Sequence, residues 1–188
     1  MIFGQYKVYS VLTLFAIVSW FMADFFDEEI TVETVIVDHS PDYFSVNYYK
    51  KEMTKQGLLK NELIADKMTH YADDGRTHLD NPVMTLYNSE LPPWVIQSEK
   101  GILEADRDHL LLAGQVAITR SRSKKTSAIE INTSDLYVQL SISHAKTKQW
   151  AEVIDGANRT EGVGMETVFV DPIKLKFLSK VKGRYVFN

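Results

Sequence analysis

Two acidic turns hold the residues whose types and spacing come closest to acid–base chemistry. Asp73-Asp74 precedes Gly75, and Asp106-Arg107-Asp108 follows 33 residues after the first pair begins. Paired carboxylates can divide the work of a general acid and a general base between them. Aspartate is also favoured at turns, because its side chain accepts backbone hydrogen bonds there. Both pairs fall where the chain must turn, so we expect them to shape hairpins and predict no catalytic residue.

Histidine supplies the other candidate chemistry. His70 and His78 flank the first acidic turn and could approach each other across a hairpin as metal ligands; the remaining histidines are scattered. The chain has no cysteine, which excludes disulfides, thiolate catalysis and cysteine metal sites. It also lacks a Gly-x-Ser-x-Gly elbow, a phosphate-binding Gly-rich loop and a His-Glu-x-x-His motif. We therefore predict a non-enzymatic protein with no cofactor and no metal.

The composition allows one domain with a real core and argues against nucleic-acid binding. The 188 residues are 45% hydrophobic and carry 21 Lys and Arg against 25 Asp and Glu, a net charge of -4. A nucleic-acid-binding domain needs a basic stripe, and none is visible. No nucleic-acid partner is predicted.

Residues 8–26, VYSVLTLFAIVSWFMADFF, are the longest apolar stretch. As a helix they would extend about 28 Å, close to a hydrocarbon core of about 30 Å. A signal peptide and a buried helix are the alternatives, but the start carries only Lys7 and no small-residue cleavage pair follows. We predict a cytoplasmic N-terminus over 1–7, a transmembrane anchor over 8–26, a connector and first strand over 27–40, and a β domain over 41–188.

The pattern after the anchor is that of an all-β protein. Short runs of β-branched and aromatic residues alternate with turn signals such as Asp74-Gly75. A shift of 33 residues aligns Leu63 with Ile96, Leu79 with Leu112 and Val83 with Val116. Repeated hairpins of this kind predict an extended antiparallel sheet, as a sandwich or an open jelly roll.

Alternation along the strands predicts which residues point inward. Leu79, Val83, Thr85 and Tyr87 are expected on one face of their strand. The even-numbered residues from Leu110 to Ile118 are expected on one face of another. These stripes are typical of a core, and they would also suit a groove for an apolar ligand. The groove-lining candidates are Leu79, Val83, Leu110, Leu112, Val116, Ile131 and Leu175.

The C-terminal segment is basic, with five Lys and Arg between residues 174 and 184 and no acid among them. Lysines are typical of a solvated strand that guards a sheet edge. The alternatives are an edge offered to a strand of another protein and a basic rim for a phosphorylated lipid. The partner-edge candidates are Leu175, Phe177, Val181 and Tyr185.

The order of short motifs along the chain resembles the LptC family of lipopolysaccharide-export proteins. The motifs follow the apolar segment as Pro41-Asp42-Tyr43, Gly57-Leu58, Leu63-Ile64-Ala65, Tyr71-Ala72-Asp73, Asn81-Pro82-Val83, the run from Pro93 to Ser98, and the run from Leu110 to Val116. The resemblance implies an open, twisted β-jelly roll of antiparallel strands in the periplasm, tied to the inner membrane by one N-terminal helix. It also implies glycine positions at Gly57, Gly114 and Gly156, and a lining residue at Tyr48 near the groove entrance.

The function that the resemblance implies is ligand transfer without chemistry. A member of this family receives lipopolysaccharide from the membrane and nucleotide-binding subunits of an ABC transporter and passes it to a periplasmic bridge protein, LptA. The jelly rolls join edge to edge. The alternatives are a purely structural adaptor, whose interior is filled by its own side chains, and a membrane-tethered hydrolase that uses the acidic turns.

Overall fold

The computed structural model describes residues 3–26, 39–88, 91–124, 126–170 and 172–186. Within the N-terminal helix it describes the side chains of residues 9–20. The elements are α1 (Phe3–Phe26), β1 (Pro41–Met53), β2 (Leu59–Tyr71), β3 (Thr77–Asp80), β4 (Val83–Leu86), β5 (Trp94–Leu103), β6 (His109–Arg120), β7 (Ile129–Gln139), β8 (His144–Asp155), β9 (Asn158–Val168) and β10 (Lys174–Arg184).

The chain divides into two units, residues 1–37 and residues 38–188. Helix α1 belongs to the first unit, so the predicted helical segment is present. Its described side chains, residues 9–20, are all exposed. Among the described residues, no helix has both the length and the apolarity that a membrane crossing requires. Of the connector and first strand predicted over 27–40, residues 27–38 lie outside the described residues.

The second unit is a ten-stranded antiparallel sheet with the simplest possible connectivity. The strands lie in the order β1-β2-β3-β5-β6-β7-β8-β9-β10. The short strands β3 and β4 do not pair with each other, and each of them pairs with both β2 and β5. Hairpin turns suffice for such a meander, because antiparallel neighbours need no crossover. Within the described strands, β1 and β10 each pair on one side alone, so the sheet has two open edges.

A line of left-handed residues crosses the middle of the sheet, and we call it the bend line. Its members have φ between 48° and 77°: Asn47, Asn81, Gly114, Asp135, Gly164 and Lys180. Register shifts of β5 to β10 lie beside the same line. A strand bends and twists more strongly at such a bulge. Bulges at corresponding places in many strands therefore bend the whole sheet.

The bend divides the sheet into two layers. The Trp94 layer consists of residues 48–53, 59–65, 83–86, 94–98, 116–120, 129–133, 150–155, 158–163 and 182–184. The Phe169 layer consists of residues 41–46, 67–71, 77–80, 100–103, 109–113, 136–139, 144–147, 165–168 and 174–178, together with Phe169 itself. Both layers contribute to one hydrophobic cluster, in which Ile96, Ile118, Leu110 and Leu136 are fully buried. The layers therefore cover each other.

The 33-residue repeat corresponds to successive hairpins, and two of its three aligned pairs share an environment, whereas Val83 is half-buried and Val116 is buried. Leu63 and Ile96 are both buried, as are Leu79 and Leu112. Three strands were missed from the sequence. Strand β1 is mostly exposed, and β8 and β9 contain many polar residues, so none of them shows a clear apolar alternation.

Candidate functional site

The predicted groove residues form the closed centre of the core. Leu79, Leu110, Leu112, Val116 and Ile131 are at most 2% exposed. Burial of a side chain of this size contributes roughly 1.5–3 kcal/mol to folding. The stripes identified in the sequence are therefore real, and the space between the layers is filled by the protein itself. A lipid could enter only if the layers moved apart.

Val83 is the exception, and its outward orientation corrects the predicted parity. Leu79 points inward, but beyond Asn81 the inward positions are Pro82, Met84 and Leu86, and Val83 is half-buried on the other face. Asn81 has a φ of 49° and donates through Nδ2 to Asp66 Oδ2 on β2 at 2.8 Å. The left-handed residue at the bend line acts as an extra residue in the strand. The side chains that follow it therefore point to the opposite face from the one that regular alternation predicts.

The other two predicted lining residues lie at the margins. Tyr48 is half-buried, packs against the core from β1, and has its pKa raised chiefly by burial. The charge of Arg107 acts on the Tyr48 hydroxyl, although Tyr48 belongs to the Trp94 layer and Arg107 lies in the turn at the end of the Phe169 layer. Leu175 is 37% exposed on β10 and lines no part of the core.

The layers meet at a seam formed by Trp94, Arg120 and Phe169. Trp94 begins β5, Arg120 ends β6, and Phe169 follows β9, so each lies at a strand end. The rings of Trp94 and Phe169 are 5.2 Å apart between centroids, and this contact joins the two layers. The guanidinium carbon of Arg120 lies 4.7 Å from the Trp94 centroid. All three are buried, which closes the seam.

Arg120 is the residue that the sequence reading overlooked. It continues the inward positions Val116 and Ile118, so alternation alone would have placed an arginine on the apolar face. An arginine at an inward position is unusual, since charged side chains are rarely buried without a partner. Trp94 was noted as part of a motif but not as a site residue, and Phe169 carried no pattern of its own.

The acidic turns are structural, as their sequence suggested. Asp106 Oδ1 accepts the backbone N–H groups of Asp108 and His109, and Asp106 Oδ2 lies 2.6 Å from His109 Nδ1. These bonds, the one with His109 first, lower the pKa of Asp106 to about 2. Asp108 bonds Ser141 and Gln139 of the neighbouring hairpin. Asp106 and Asp108 therefore both hold turns, as expected from their sequence.

The histidines at the other turn pack with aromatic rings and do not converge on a common point. His39 stacks on Tyr71 at 4.2 Å, and its Nδ1 lies 2.7 Å from Asp73 Oδ2, a hydrogen bond that lowers the pKa of Asp73. His70 Nδ1 contacts Thr77 Oγ1 at 3.0 Å. In the described part of the chain, no group of three or more His, Asp or Glu side chains is placed to hold a metal ion.

The two edge strands expose long rows of apolar side chains. On β1, Tyr43, Phe44, Val46, Tyr49 and Met53 are exposed by about half or more. Of the predicted partner-edge residues, Val181 and Tyr185 are exposed, at 56% and 60%. Phe177 instead turns inward and packs on the core, and Tyr185 lies just beyond the end of β10. Exposed, apolar strand edges are templates for pairing with another chain.

The glycines predicted from the resemblance have left-handed backbones. Gly57, Gly114 and Gly156 have φ values of 78°, 77° and 60°. Gly57 and Gly156 lie in hairpin turns. Gly114 lies on the bend line and donates its N–H to Asp135 Oδ1 at 3.0 Å.

The domain belongs to the class of open β-jelly rolls. In this class an antiparallel sheet folds over an apolar core and keeps two open edges. Comparison with known proteins identifies the family. A family model described as "Lipopolysaccharide-assembly, LptC-related" matches residues 11–186. The chain therefore belongs to the LptC family.

The relatives are more distant than the extent of that match suggests. The lipopolysaccharide export system protein LptC of Escherichia coli (strain K12) is 27% identical over 93 residues, 49% of this chain and 48% of that protein. LptC of Shigella flexneri matches to the same extent. The chain thus aligns with about half the length of the curated relatives it matches.

A solved structure shares the fold at low identity. The crystal structure of LptH, the LptA-homologous periplasmic component of the conserved lipopolysaccharide transport device from Pseudomonas aeruginosa, matches with a TM-score of 0.52 and 8% identity. The match covers 67% of this chain and 94% of LptH. At this identity the likeness concerns the fold alone.

Proposed function

We propose that this chain is a non-enzymatic component of lipopolysaccharide export. It receives lipopolysaccharide from an inner-membrane ABC transporter, passes it to a periplasmic bridge protein of the LptA kind, and docks the transporter to that bridge. Family membership and the names of the relatives support the lipopolysaccharide assignment. The observation that carries the docking role is the pair of open edge strands, β1 and β10, at opposite ends of one continuous sheet.

Two free edges suit a protein that stands between two partners. A strand of a partner can extend the sheet at an edge through main-chain hydrogen bonds, and neighbouring side chains give specificity. Strand β10 is 11 residues long and carries the predicted partner edge. We assign β10 to the bridge protein, and β1 is then free for the transporter side.

Removal of β10 tests the edge assignment. A chain ending before Leu175 should lose capture of LptA and keep copurification with the transporter subunits, because β1 is untouched. Thermal unfolding of the truncated chain is the control, since Phe177 packs on the core and its loss must not unfold the remaining sheet. Undiminished LptA capture by a folded truncated chain would contradict the assignment.

The acyl chains of the ligand are proposed to occupy the space between the layers. Each methylene taken from water there contributes about 0.8 kcal/mol, so an opened core can cover lipid chains. A diazirine-bearing aliphatic residue at Leu112, which is fully buried, should crosslink to lipopolysaccharide during export. The same residue at the exposed position Glu99 is the matched control. Crosslinks from Glu99 alone would reject the groove.

The alternative function is a structural adaptor that pairs edges and holds no lipid. The complete filling of the core by Leu110, Leu112 and their neighbours favours it. The adaptor predicts no crosslink at Leu112 while export proceeds normally. The transfer protein predicts a crosslink that depends on an active transporter.

The cellular placement is part of the same proposal. We place the β unit, residues 41–188, in the periplasm, residues 27–40 as its connector, and α1 at the inner membrane. The exposed apolar side chains of α1, such as Leu14, Phe15 and Trp20, support this association. A chain lacking residues 1–37 should leave the membrane fraction. Its retention there in the absence of the transporter would show that α1 is not the attachment.

A further inference from the structure

Arg120 is a buried cation, and the described part of the chain provides no anionic partner for it. Its side chain is 7% exposed, and its Nε atom has no hydrogen-bond partner. Among the described carboxylates, none forms an ion pair with it, although Glu152, the one acid that is buried, pairs with Arg159. The contact that the structure provides is the face of Trp94.

This arrangement lowers the stability of the folded chain, and a bound anion would offset that loss. A buried charge loses its hydration, and a buried donor that stays unpaired loses a hydrogen bond that water would have supplied. The attraction between the guanidinium and the Trp94 ring offsets a part of that free-energy cost. The protein therefore keeps a charged group, whose buried Nε has no hydrogen-bond partner, at the rim of its apolar core.

The chemistry of the group selects the ligand. A guanidinium is planar and donates two parallel hydrogen bonds to a phosphate or carboxylate. The loop after Arg120 adds exposed positive charge at Arg122 and Lys124. An anion at the seam would meet this loop first and the buried guanidinium when the seam opens.

We propose that Arg120 is the anion-binding residue of a phosphate subsite at the seam, and that the subsite takes the phosphorylated head of the transported amphiphile. The inference rests on the proposed function. Trp94 and Phe169 close the seam over the core. On opening, the acyl chains pass between the layers, and Arg120 holds the phosphate at the rim.

Binding of labelled lipopolysaccharide to the purified full chain tests the proposal. Arg120→Met keeps an unbranched apolar stem and removes the charge. It should weaken binding by about tenfold or more, the effect expected from loss of a charge-assisted bidentate contact. With lipopolysaccharide stripped of its lipid phosphates, the variant and the original chain should bind equally. Arg120→Lys keeps the charge but cannot donate two parallel hydrogen bonds. Its affinity for intact lipopolysaccharide should lie between those of the original chain and Arg120→Met.

Arg184→Gln is the matched control, since it removes the same charge at an exposed position of β10, outside the seam. It should change affinity by less than about twofold at physiological salt, because exposed charges are screened. Equal losses in the two variants would overturn the subsite in favour of general surface charge. If inorganic phosphate at the same concentration as lipopolysaccharide displaced the labelled lipopolysaccharide, the head-group assignment would be wrong. The site would then bind free phosphate.

Stability separates this role from a purely structural one. Removal of a buried, unpaired charge should leave the melting temperature unchanged or raise it, because apolar replacements of buried charges are often stabilising. A lower melting temperature together with unchanged affinity would overturn the proposal. Failure of the original chain to bind lipopolysaccharide at all would overturn the proposed function. Binding that is insensitive to Arg120→Met would overturn this inference alone.

Discussion

At the residue scale, neighbours on one short strand have opposite roles. On β4, Met84 is 1% exposed in the core, whereas Val83 is half-buried on the outer face. Met84→Ala should lower the free energy of unfolding by about 2–5 kcal/mol, because it leaves a cavity. Val83→Ala should lower it by about 1 kcal/mol or less. Urea denaturation of the two variants measures the difference, and equal losses would contradict the reset of alternation at Asn81.

The pair Asp106 and His109 should leave a signature in the pH dependence of stability. The hydrogen bond to His109 lowers the pKa of Asp106 to about 2, and the same bond raises the pKa of His109. The Asp106 contribution is present above about pH 3.9, its unfolded pKa, and disappears as the pH falls toward 2. The His109 contribution is full below about pH 6.5 and is lost as the pH rises through its raised folded pKa.

Asp106→Asn should therefore flatten the profile on both the acidic and the neutral side. Melting temperatures measured across pH for the variant and the original chain show this, and the effect should be small because both side chains are about half exposed. His109→Gln should remove the change in melting temperature near neutral pH and reduce the change at acidic pH. A profile that Asp106→Asn leaves unaltered would argue that the turn is held by its backbone bonds alone.

At the scale of elements, two glycines of β9 determine how β10 packs. A Cβ at Gly162 would lie 2.8 Å from Phe177 Cδ1, and one at Gly164 would lie 2.8 Å from Leu178 Cδ1. Both distances are shorter than van der Waals contact. The missing side chains of β9 thus make room for β10, the strand to which we assign the bridge protein.

A double-mutant cycle tests this packing. Gly162→Ala should destabilise the chain by about 1–3 kcal/mol, because the methyl group overpacks the site under Phe177. In a Phe177→Ala background the same substitution should become neutral or stabilising, since alanine is favoured over glycine in a strand by roughly 0.5–1 kcal/mol. Denaturation of the four chains gives the coupling free energy. A coupling near zero would mean that Phe177 does not rest on Gly162.

At the scale of the whole molecule, alternation predicted the core but not its shape. It correctly placed Leu79, Leu110, Leu112 and Ile131 inside, because their side chains follow the period of a regular strand. It failed for Val83, because the left-handed residue Asn81 interrupts the alternation. The pattern of apolar residues does not show where such an interruption occurs. The closure of the core was beyond prediction as well. It depends on bulges that occur together in many strands and on the contact between Trp94 and Phe169, which are 75 residues apart in sequence.

The closed core makes one prediction about the whole molecule, namely that lipid binding separates the two layers at the seam. The chain has no cysteine, so spin labels can be attached at introduced cysteines without background. Ser121 and Val170 directly follow Arg120 and Phe169 on the two sides of the seam, and both are exposed. Their separation should increase by about 5 Å or more with lipopolysaccharide, because an acyl chain must enter between layers that pack about 10 Å apart.

The control pair is Ser121 with Ala157, which lies in the exposed turn between β8 and β9 at the same end of the Trp94 layer. This distance should stay constant, since the hydrogen bonds within a layer persist while the layers hinge at the bend line. An increase in both distances would indicate unfolding of the sheet. If lipopolysaccharide binds and neither distance changes, the lipid lies outside the core. The protein would then bind lipopolysaccharide on its outer surface, an outcome that neither the groove nor the lipid-free adaptor predicts.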